Sequence, residues 1–307
     1  MAHCFVTRRL PGQALERLEA EHEVEVWSER RPPTHDDLIA RTRDAEGILT
    51  LLTDRVDAEL LEQAPNLRAI SNYAVGVDNV DLEAATERGI PVGHTPDVLT
   101  DATADLTFAL MLATARKLQE ATGAAKRGDW ITWEPAMFLG ESVYGATLGI
   151  VGFGRIGQAV AKRAQGFDMT ILHTDSTPLN ELLQRSDLVT LHVPLTPDTH
   201  HLIDAEALSL MRPNAILVNT ARGQIVDQDA LLEALHNNAI AAAALDVTDP
   251  EPLPPDHPLL KTPNALITPH IGSATRAARE RMADLAVANL EAALAGRPMP
   301  HQANPLP

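Results

Sequence analysis

Short apolar runs rich in Val, Ile and Leu alternate with helix-like stretches along nearly the whole chain. That alternation is the pattern of βαβ units wrapped around parallel sheets. In the first part strands are predicted at Cys4–Thr7, Val24–Trp27, Gly47–Thr50, Arg68–Asn72 and Ile90–Val92. The helices between them carry start signals: Thr34 ahead of Asp36 and Asp37, Asp57 ahead of Ala58, and Asp81 ahead of Leu82. Each of these side chains can accept hydrogen bonds from the unpaired amides of a first helical turn. After Pro96 the spacing predicts one long amphipathic helix over about Thr100–Arg127, with apolar residues at 106, 109, 110 and 113. A loop bearing Trp and Pro follows, Gly128–Gly145.

A second series then begins, with strands predicted at Thr147–Val151, Met169–Thr174, Leu188–Val193, Ala215–Asn219, Ala241–Val247 and Ala265–Thr268. The last helix, about Ser273–Gly296, is too long for the rhythm of the second sheet and is expected to pack on the first. The fold class is therefore α/β, with two Rossmann-like, doubly wound parallel-sheet domains and a cleft between them. The domains are drawn as 1–96 with 273–307, and 97–272. A length of 307 residues is enough for two cores of this size.

Composition narrows the partners. The formal charge is -17, and basic pairs such as Arg8-Arg9 and Arg30-Arg31 are isolated. A surface this acidic repels nucleic acid and anionic lipid, so neither is an expected partner. No apolar run reaches the length of about 18 residues that a membrane helix needs. Residues Met1–Pro11 lack a signal-peptide core, and Cys4 is the one cysteine, so a reducing cytoplasm is expected. In its apolar stretch, Cys4-Phe5-Val6, Cys4 reads as a buried strand residue and not a reactive thiol.

The segment from Leu148 to Gly157, LGIVGFGRIG, is an apolar strand running into G-x-G-x-x-G and then a helix. Three glycines at this spacing mean little alone, and the strand and helix around them give the motif its force. Gly152 would make the tight turn, and Gly154 would let the backbone approach a pyrophosphate. Gly157 would let helix and strand pack closely. The first helical amides, at Arg155 and Ile156, would donate to phosphate oxygens. Asp175 stands 18 residues past Gly157, at the end of the next strand. There a carboxylate can accept from both adenine-ribose hydroxyls and repels a 2′-phosphate. Ser176, Thr177 and Pro178 follow it with no cation, so NAD(H) is expected in preference to NADP(H). An Asp that only caps a turn is the plainer alternative.

Three further residues sit just past strands of this second sheet, where ligands of open α/β folds bind. Arg222 follows the run from Ile216 to Ala221, Glu251 lies five residues beyond Asp246, and His270 follows the segment Leu266–Pro269. Taken singly, they could be a surface charge, a loop acid and a structural histidine. Taken together they form a cation, an acid and a proton carrier, which is how a site is recognised. No metal is expected.

The chain resembles the D-isomer-specific 2-hydroxyacid dehydrogenases, and within them the glyoxylate/hydroxypyruvate reductases. The likeness is carried by Asn72–Asp78 (NYAVGVD), Thr95–Asp101 (TPDVLTD), the glycine turn, Asn219–Gly223 (NTARG), Leu245–Pro254 (LDVTDPEPLP) and Thr268–Ala274 (TPHIGSA). The resemblance implies an NAD-binding Rossmann domain at 97–272 and a flavodoxin-like substrate-binding domain made of 1–96 and 273–307. It implies hydride transfer between NAD(H) and a small 2-oxo or 2-hydroxy acid, with reduction of glyoxylate or hydroxypyruvate foremost. Arg222 would hold the carboxylate and carbonyl oxygen in a fork that Lys cannot copy. His270 would give and take the proton. Glu251 would pair with the imidazole, favour its charged form and orient it. Asp246 would contact the nicotinamide carboxamide, with Thr103 and Ala221 also near the cofactor. The amides of Val75 and Gly76 would receive the substrate carboxylate, and Leu51 or Leu52 would wall the substrate side chain. Trp133 resembles a tryptophan that reaches a neighbouring subunit's site, so a homodimer is expected; packing within its own loop is the other reading.

One departure from the family stands out. A helix and a strand usually separate the counterpart of Asp175 from the segment matching Leu179–Arg185, and here only Ser176, Thr177 and Pro178 do. Two rival functions remain: a family dehydrogenase for another 2-hydroxy acid, and a dinucleotide-sensing, corepressor-like binding protein on the same fold.

Overall fold

The computed structural model describes residues 1–306, which form two compact units. One comprises Met1–Leu99 with Ser273–Pro307, and the other Thr100–Gly272.

The first unit holds a parallel sheet of five strands: β1 (His3–Val6), β2 (Glu23–Val26), β3 (Gly47–Thr50), β4 (Ala69–Asn72) and β5 (Val92–Gly93). Their order is β2-β1-β3-β4-β5. Both faces are covered over β1, β3 and β4, which are buried almost throughout, while the edge strand β2 (EVEV) alternates. Side chains alternate across the pleat. Cys4 and Val6 face a core shared with Leu15, Leu18 and the last helix, α11 (Arg276–Leu294). Phe5 faces the opposite core of Trp27, Leu60, Leu61 and Ile70.

Helix α11 lies against β3, β4, β5 and α1 (Ala14–Glu21) through Met282, Ala286, Val287 and Leu290. The three predicted caps close as hydrogen bonds. Thr34 and Asp37 form a reciprocal capping box at α2 (His35–Thr42). Asp57 accepts from the Leu60 amide at α3 (Ala58–Gln63), and Asp81 accepts from the Ala84 amide at α4 (Leu82–Glu87).

The second unit holds a parallel sheet of six strands: β6 (Thr147–Val151), β7 (Thr170–His173), β8 (Leu188–Leu191), β9 (Ile216–Asn219), β10 (Ala242–Leu245) and β11 (Ala265–Ile267). Their order is β11-β10-β9-β8-β6-β7. The chain runs from β6 through α7 (Arg155–Ala164) to the edge strand β7. It then crosses through α8 (Leu179–Arg185) to β8 on the other side of β6. Helices α9 (Ala205–Leu210) and α10 (Gln228–His236) carry it on to β9 and β10. The winding therefore reverses at β6, and the end of that strand is the switch point at which open α/β sheets bind ligands. Residues 174–178 join β7 directly to α8, so β7 forms the edge.

Residues 100–127 depart from the single amphipathic helix that the spacing predicts. They form two helices, α5 (Thr100–Ala115) and α6 (Leu118–Arg127). Lys117, between them, has a left-handed φ of 51°. A lysine is an uncommon occupant of that region, so no glycine or proline marks the break. Nor is α5 a surface helix with one apolar stripe. Ala104, Thr107, Phe108, Leu110 and Met111 are all buried, and the helix packs against α7, β9 and β10. Among the described residues no helix is long and apolar enough to cross a membrane.

Candidate active site

At the end of β6 the chain turns through Gly152, whose φ of +91° suits glycine. A Cβ on Gly152 would come within 2.7 Å of the His192 carbonyl, and one on Gly157 within 2.3 Å of the Gly152 oxygen. Both positions therefore exclude any side chain. Gly154 is different: a Cβ there meets nothing within 4 Å. Its lack of a side chain leaves open space directly at the N-terminus of α7, where Gly154 is the N-cap and no side chain caps the helix. The first-turn amides, at Arg155 and Ile156, thus head a ten-residue helix with the positive end of its dipole uncapped. A pyrophosphate fits the donors, the room and the sign of charge. The Thr174 hydroxyl steadies the turn by accepting from the Gly152 amide at 3.0 Å. Asp175 follows immediately and is exposed.

Arg222 leaves the end of β9 and is half-buried. Asn219 folds its loop: Oδ1 accepts the Ala221 amide at 3.0 Å, and Nδ2 donates to the Arg222 carbonyl at 2.8 Å. Gly223 comes next, and a Cβ there would lie 2.1 Å from the Thr248 carbonyl. Only glycine lets the Arg222 loop approach the loop that bears Glu251 this closely.

The second loop is held by Gln228, which accepts from the Asp249 amide at 3.0 Å and donates to the Asp249 carbonyl. Within it the Thr248 hydroxyl donates to the Pro250 carbonyl at 2.9 Å. Glu251 is thereby placed with Oε1 2.6 Å from His270 Nδ1, while Oε2 accepts the Thr248 amide at 3.4 Å. The two side chains are partly open to solvent, 30% for Glu251 and 21% for His270. A carboxylate on Nδ1 requires the proton on that nitrogen, which leaves Nε2 as the reactive end of the ring.

Asp246 follows β10 directly and is buried. Burial pushes its carboxyl above the usual carboxylate range, opposed by the Thr268 hydroxyl and by the Ile271 and Gly272 amides. Thr103, also buried, lies beside Gly272 on α5. Ala221 is half-buried next to Arg222.

In the first unit, Val75 and Gly76 lie on the loop after β4, Val75 beside the buried Ala74 and Gly76 half-buried. Their carbonyls are engaged from behind: His94 Nδ1 contacts the Val75 oxygen at 2.9 Å, and Asn72 Nδ2 donates to the Gly76 oxygen at 3.0 Å. Asn79 is the hub of this region. Its Oδ1 accepts from Asn72 Nδ2 at 2.9 Å, and its Nδ2 donates to the carbonyls of Leu51 at 3.0 Å and Asp54 at 2.8 Å. Asp54, buried, accepts the Leu51 amide at 2.7 Å and the Thr7 hydroxyl at 2.5 Å. The loops bearing Leu51 and Gly76 are therefore one hydrogen-bonded piece, a connection that the sequence reading does not contain.

Trp133 is 75% exposed. Leu118, Trp130, Ile131, Leu139 and Tyr144, in the same stretch of sequence, are also large apolar side chains open to solvent.

Residues 108–272 match the D-isomer specific 2-hydroxyacid dehydrogenase NAD binding domain. The chain is 48% identical over 315 residues to a glyoxylate reductase of Korarchaeum cryptofilum, covering 98% of this chain and 95% of that one. Against a glyoxylate reductase of Thermococcus gammatolerans it is 50% identical over 304 residues, covering 93% and 91%. The chain belongs to the D-isomer-specific 2-hydroxyacid dehydrogenase family. It is an oxidoreductase with an NAD-binding domain, and the corepressor-like alternative falls away. Among solved structures it resembles a protein of Thermus thermophilus, with a TM-score of 0.92, 53% identity, and 98% and 99% of the two chains covered. It also resembles an NADPH-dependent glyoxylate/hydroxypyruvate reductase of Sinorhizobium meliloti, solved with NADP and malonate. There the TM-score is 0.87, with 33% identity and 98% and 96% coverage.

Proposed function

We propose that this dehydrogenase reduces a small 2-oxo acid, glyoxylate or hydroxypyruvate, with NADH as the preferred donor. The observation that carries the reading is the His270–Glu251 contact of 2.6 Å, formed past the same sheet whose glycine turn opens α7. The relatives named glyoxylate reductase point to the substrate class.

A nicotinamide cofactor, when bound, would supply hydride to C2 of the substrate. Arg222 is assigned the carboxylate and the carbonyl oxygen, since its planar fork matches two oxygens at once. The Val75 and Gly76 amides are assigned the carboxylate, and Leu51 the wall beside the substrate side chain, where there is one. His270 delivers the Nε2 proton to the carbonyl oxygen, leaving a neutral imidazole whose Nδ1–H still points at Glu251. The Glu251 carboxylate stabilises the imidazolium before transfer and holds the ring plane during it. Asp246, with Thr103 and Ala221, is assigned to the nicotinamide end, and Asp175 to the adenine ribose.

Residues 1–99 with 273–307 serve the substrate, and 100–272 the cofactor. The exposed Trp133 is assigned to contact with a second copy of this chain, as the family resemblance implies. Light scattering of the purified protein checks the homodimer. A lone buried Cys4 with no second cysteine suits the reducing cytoplasm.

The experiment that tests the reading is a panel of glyoxylate, hydroxypyruvate, pyruvate and phenylpyruvate with NADH and with NADPH. Glyoxylate or hydroxypyruvate with NADH should give the highest kcat/KM, and a clear preference for phenylpyruvate would overturn the assignment.

A further inference from the structure

We propose that Asp246 is the positioning residue of the proton donor: it straps residues 268–272 into a turn that holds His270 in a left-handed backbone conformation. The inference rests on His270 being that donor. His270 has a φ of 52°, in the sparsely populated left-handed region, where a residue with a Cβ is uncommon and is kept by its surroundings. The group that keeps it there is Asp246, through its backbone and its side chain together. The His270 amide donates to the Asp246 carbonyl at 2.9 Å. The Asp246 carboxylate then takes three more donors from the same turn: the Thr268 hydroxyl at 2.6 Å and the Ile271 amide at 2.8 Å on Oδ1, and the Gly272 amide at 2.7 Å on Oδ2. Donors before and after His270 thus converge on one buried side chain, 1% exposed.

The geometry has a direct effect on the imidazole. In the left-handed region the Cα–Cβ bond leaves the chain in a different direction from that of an extended strand end. That direction brings Nδ1 to the Glu251 carboxylate. A turn relaxed toward ordinary φ would swing the ring away from Glu251, although neither catalytic side chain had been altered. Gly272 contributes by fitting closely: a Cβ there would stand 3.3 Å from Asp246 Oδ2 and 3.5 Å from Thr103 Oγ1. Two oxygens in acceptor form are needed. An asparagine would turn an NH₂ toward a backbone N–H, a donor facing a donor.

The strap predicts a signature that a nicotinamide contact alone does not. Thr268→Val removes one strap bond while leaving the Asp246 charge in place. It should lower kcat for glyoxylate reduction roughly tenfold. Asp246→Asn should lower it by roughly a hundredfold, and the double variant should resemble Asp246→Asn alone, since both act through one turn. The NADH dissociation constant, from fluorescence titration of each purified full-length variant, should stay within about threefold for Thr268→Val. His270→Ala is measured beside them. If it keeps the parent kcat, the proton-donor reading falls and the strap with it. If it loses kcat while Thr268→Val is silent, or if the two strap effects multiply in the double variant, the strap alone is overturned. Should Asp246→Asn fail to fold, Thr268→Val decides the matter.

Discussion

Nδ1 of His270 lies 2.6 Å from Oε1 of Glu251, while the other Glu251 oxygen receives the Thr248 amide. The carboxylate is therefore anchored on one side and faces the imidazole on the other. Reduction of the carbonyl takes its proton from His270, so the contact with Glu251 should bear directly on kcat. Glu251→Gln removes a negative charge at hydrogen-bond distance from the imidazole, and kcat should fall by about tenfold or more with NADH binding nearly unchanged. His270→Ala should cost about 10²–10⁴-fold in kcat at every pH. A Glu251→Gln kcat equal to the parent's would show the two groups uncoupled.

Arg222 offers the second test. Its loop is fixed by Asn219 and by the close approach of Gly223 to Thr248, and Nη1 donates to the Ala221 carbonyl at 2.9 Å. Arg222→Lys keeps the charge and loses the planar pair of donors. The loss in kcat/KM for glyoxylate should be on the order of a hundredfold, close to 3 kcal/mol. A lysine variant within a few-fold of the parent would mean the carboxylate is held by other groups.

What could be seen in the sequence followed from chemistry that repeats locally. Strand positions such as Gly47–Thr50 and Thr147–Val151 were legible because buried parallel strands leave unbroken apolar runs. Gly152 and Gly157 were legible because a tight turn and close packing admit nothing else. The break at Lys117 was not, because a left-handed lysine leaves no residue signal. The Asn79 hub was equally hidden: Asn72, Asn79 and Leu51 meet only once the sheet has brought two loops together. Asp246 was legible only through the family resemblance, and the turn it gathers goes with the left-handed φ of His270, which no spacing encodes.

Cys4 gives a prediction about stability and not catalysis. It is fully buried in β1, and burial, with Glu46 nearby, pushes its thiol up from 9.0 to about 12. At pH 8 only about one thiol in 10⁴ would then be ionised, and the thiolate is the reactive form. Iodoacetamide should leave the native protein unmodified over hours and alkylate one thiol per chain in guanidinium. The sign of the linkage follows. Above pH 9 the unfolded chain releases this proton and the folded one keeps it, so the Cys4 contribution falls as pH rises toward 12. The slope is at most about 1.4 kcal/mol per pH unit. Rapid alkylation of the folded protein would contradict the burial.

Cofactor choice turns on Asp175, which follows the edge strand β7 and is open to solvent. A carboxylate at this point accepts from ribose hydroxyls and repels a 2′-phosphate. The residues that follow, Ser176, Thr177 and Pro178, offer no cation to reverse that sign before α8 begins. NADH should therefore give the higher kcat/KM, even though a structural relative of Sinorhizobium meliloti is NADPH-dependent. Asp175→Ala should narrow the gap by weakening NADH and relieving the repulsion of NADPH. Asp175→Ser with Ser176→Arg should go further, because the added guanidinium can pair with the phosphate. Because the contact lies at the adenosine end, both variants should act on the KM for the cofactor and leave kcat at saturation close to the parent's. If the parent uses NADPH as well as NADH, or if Asp175→Ala leaves the ratio unmoved, Asp175 does not read the ribose.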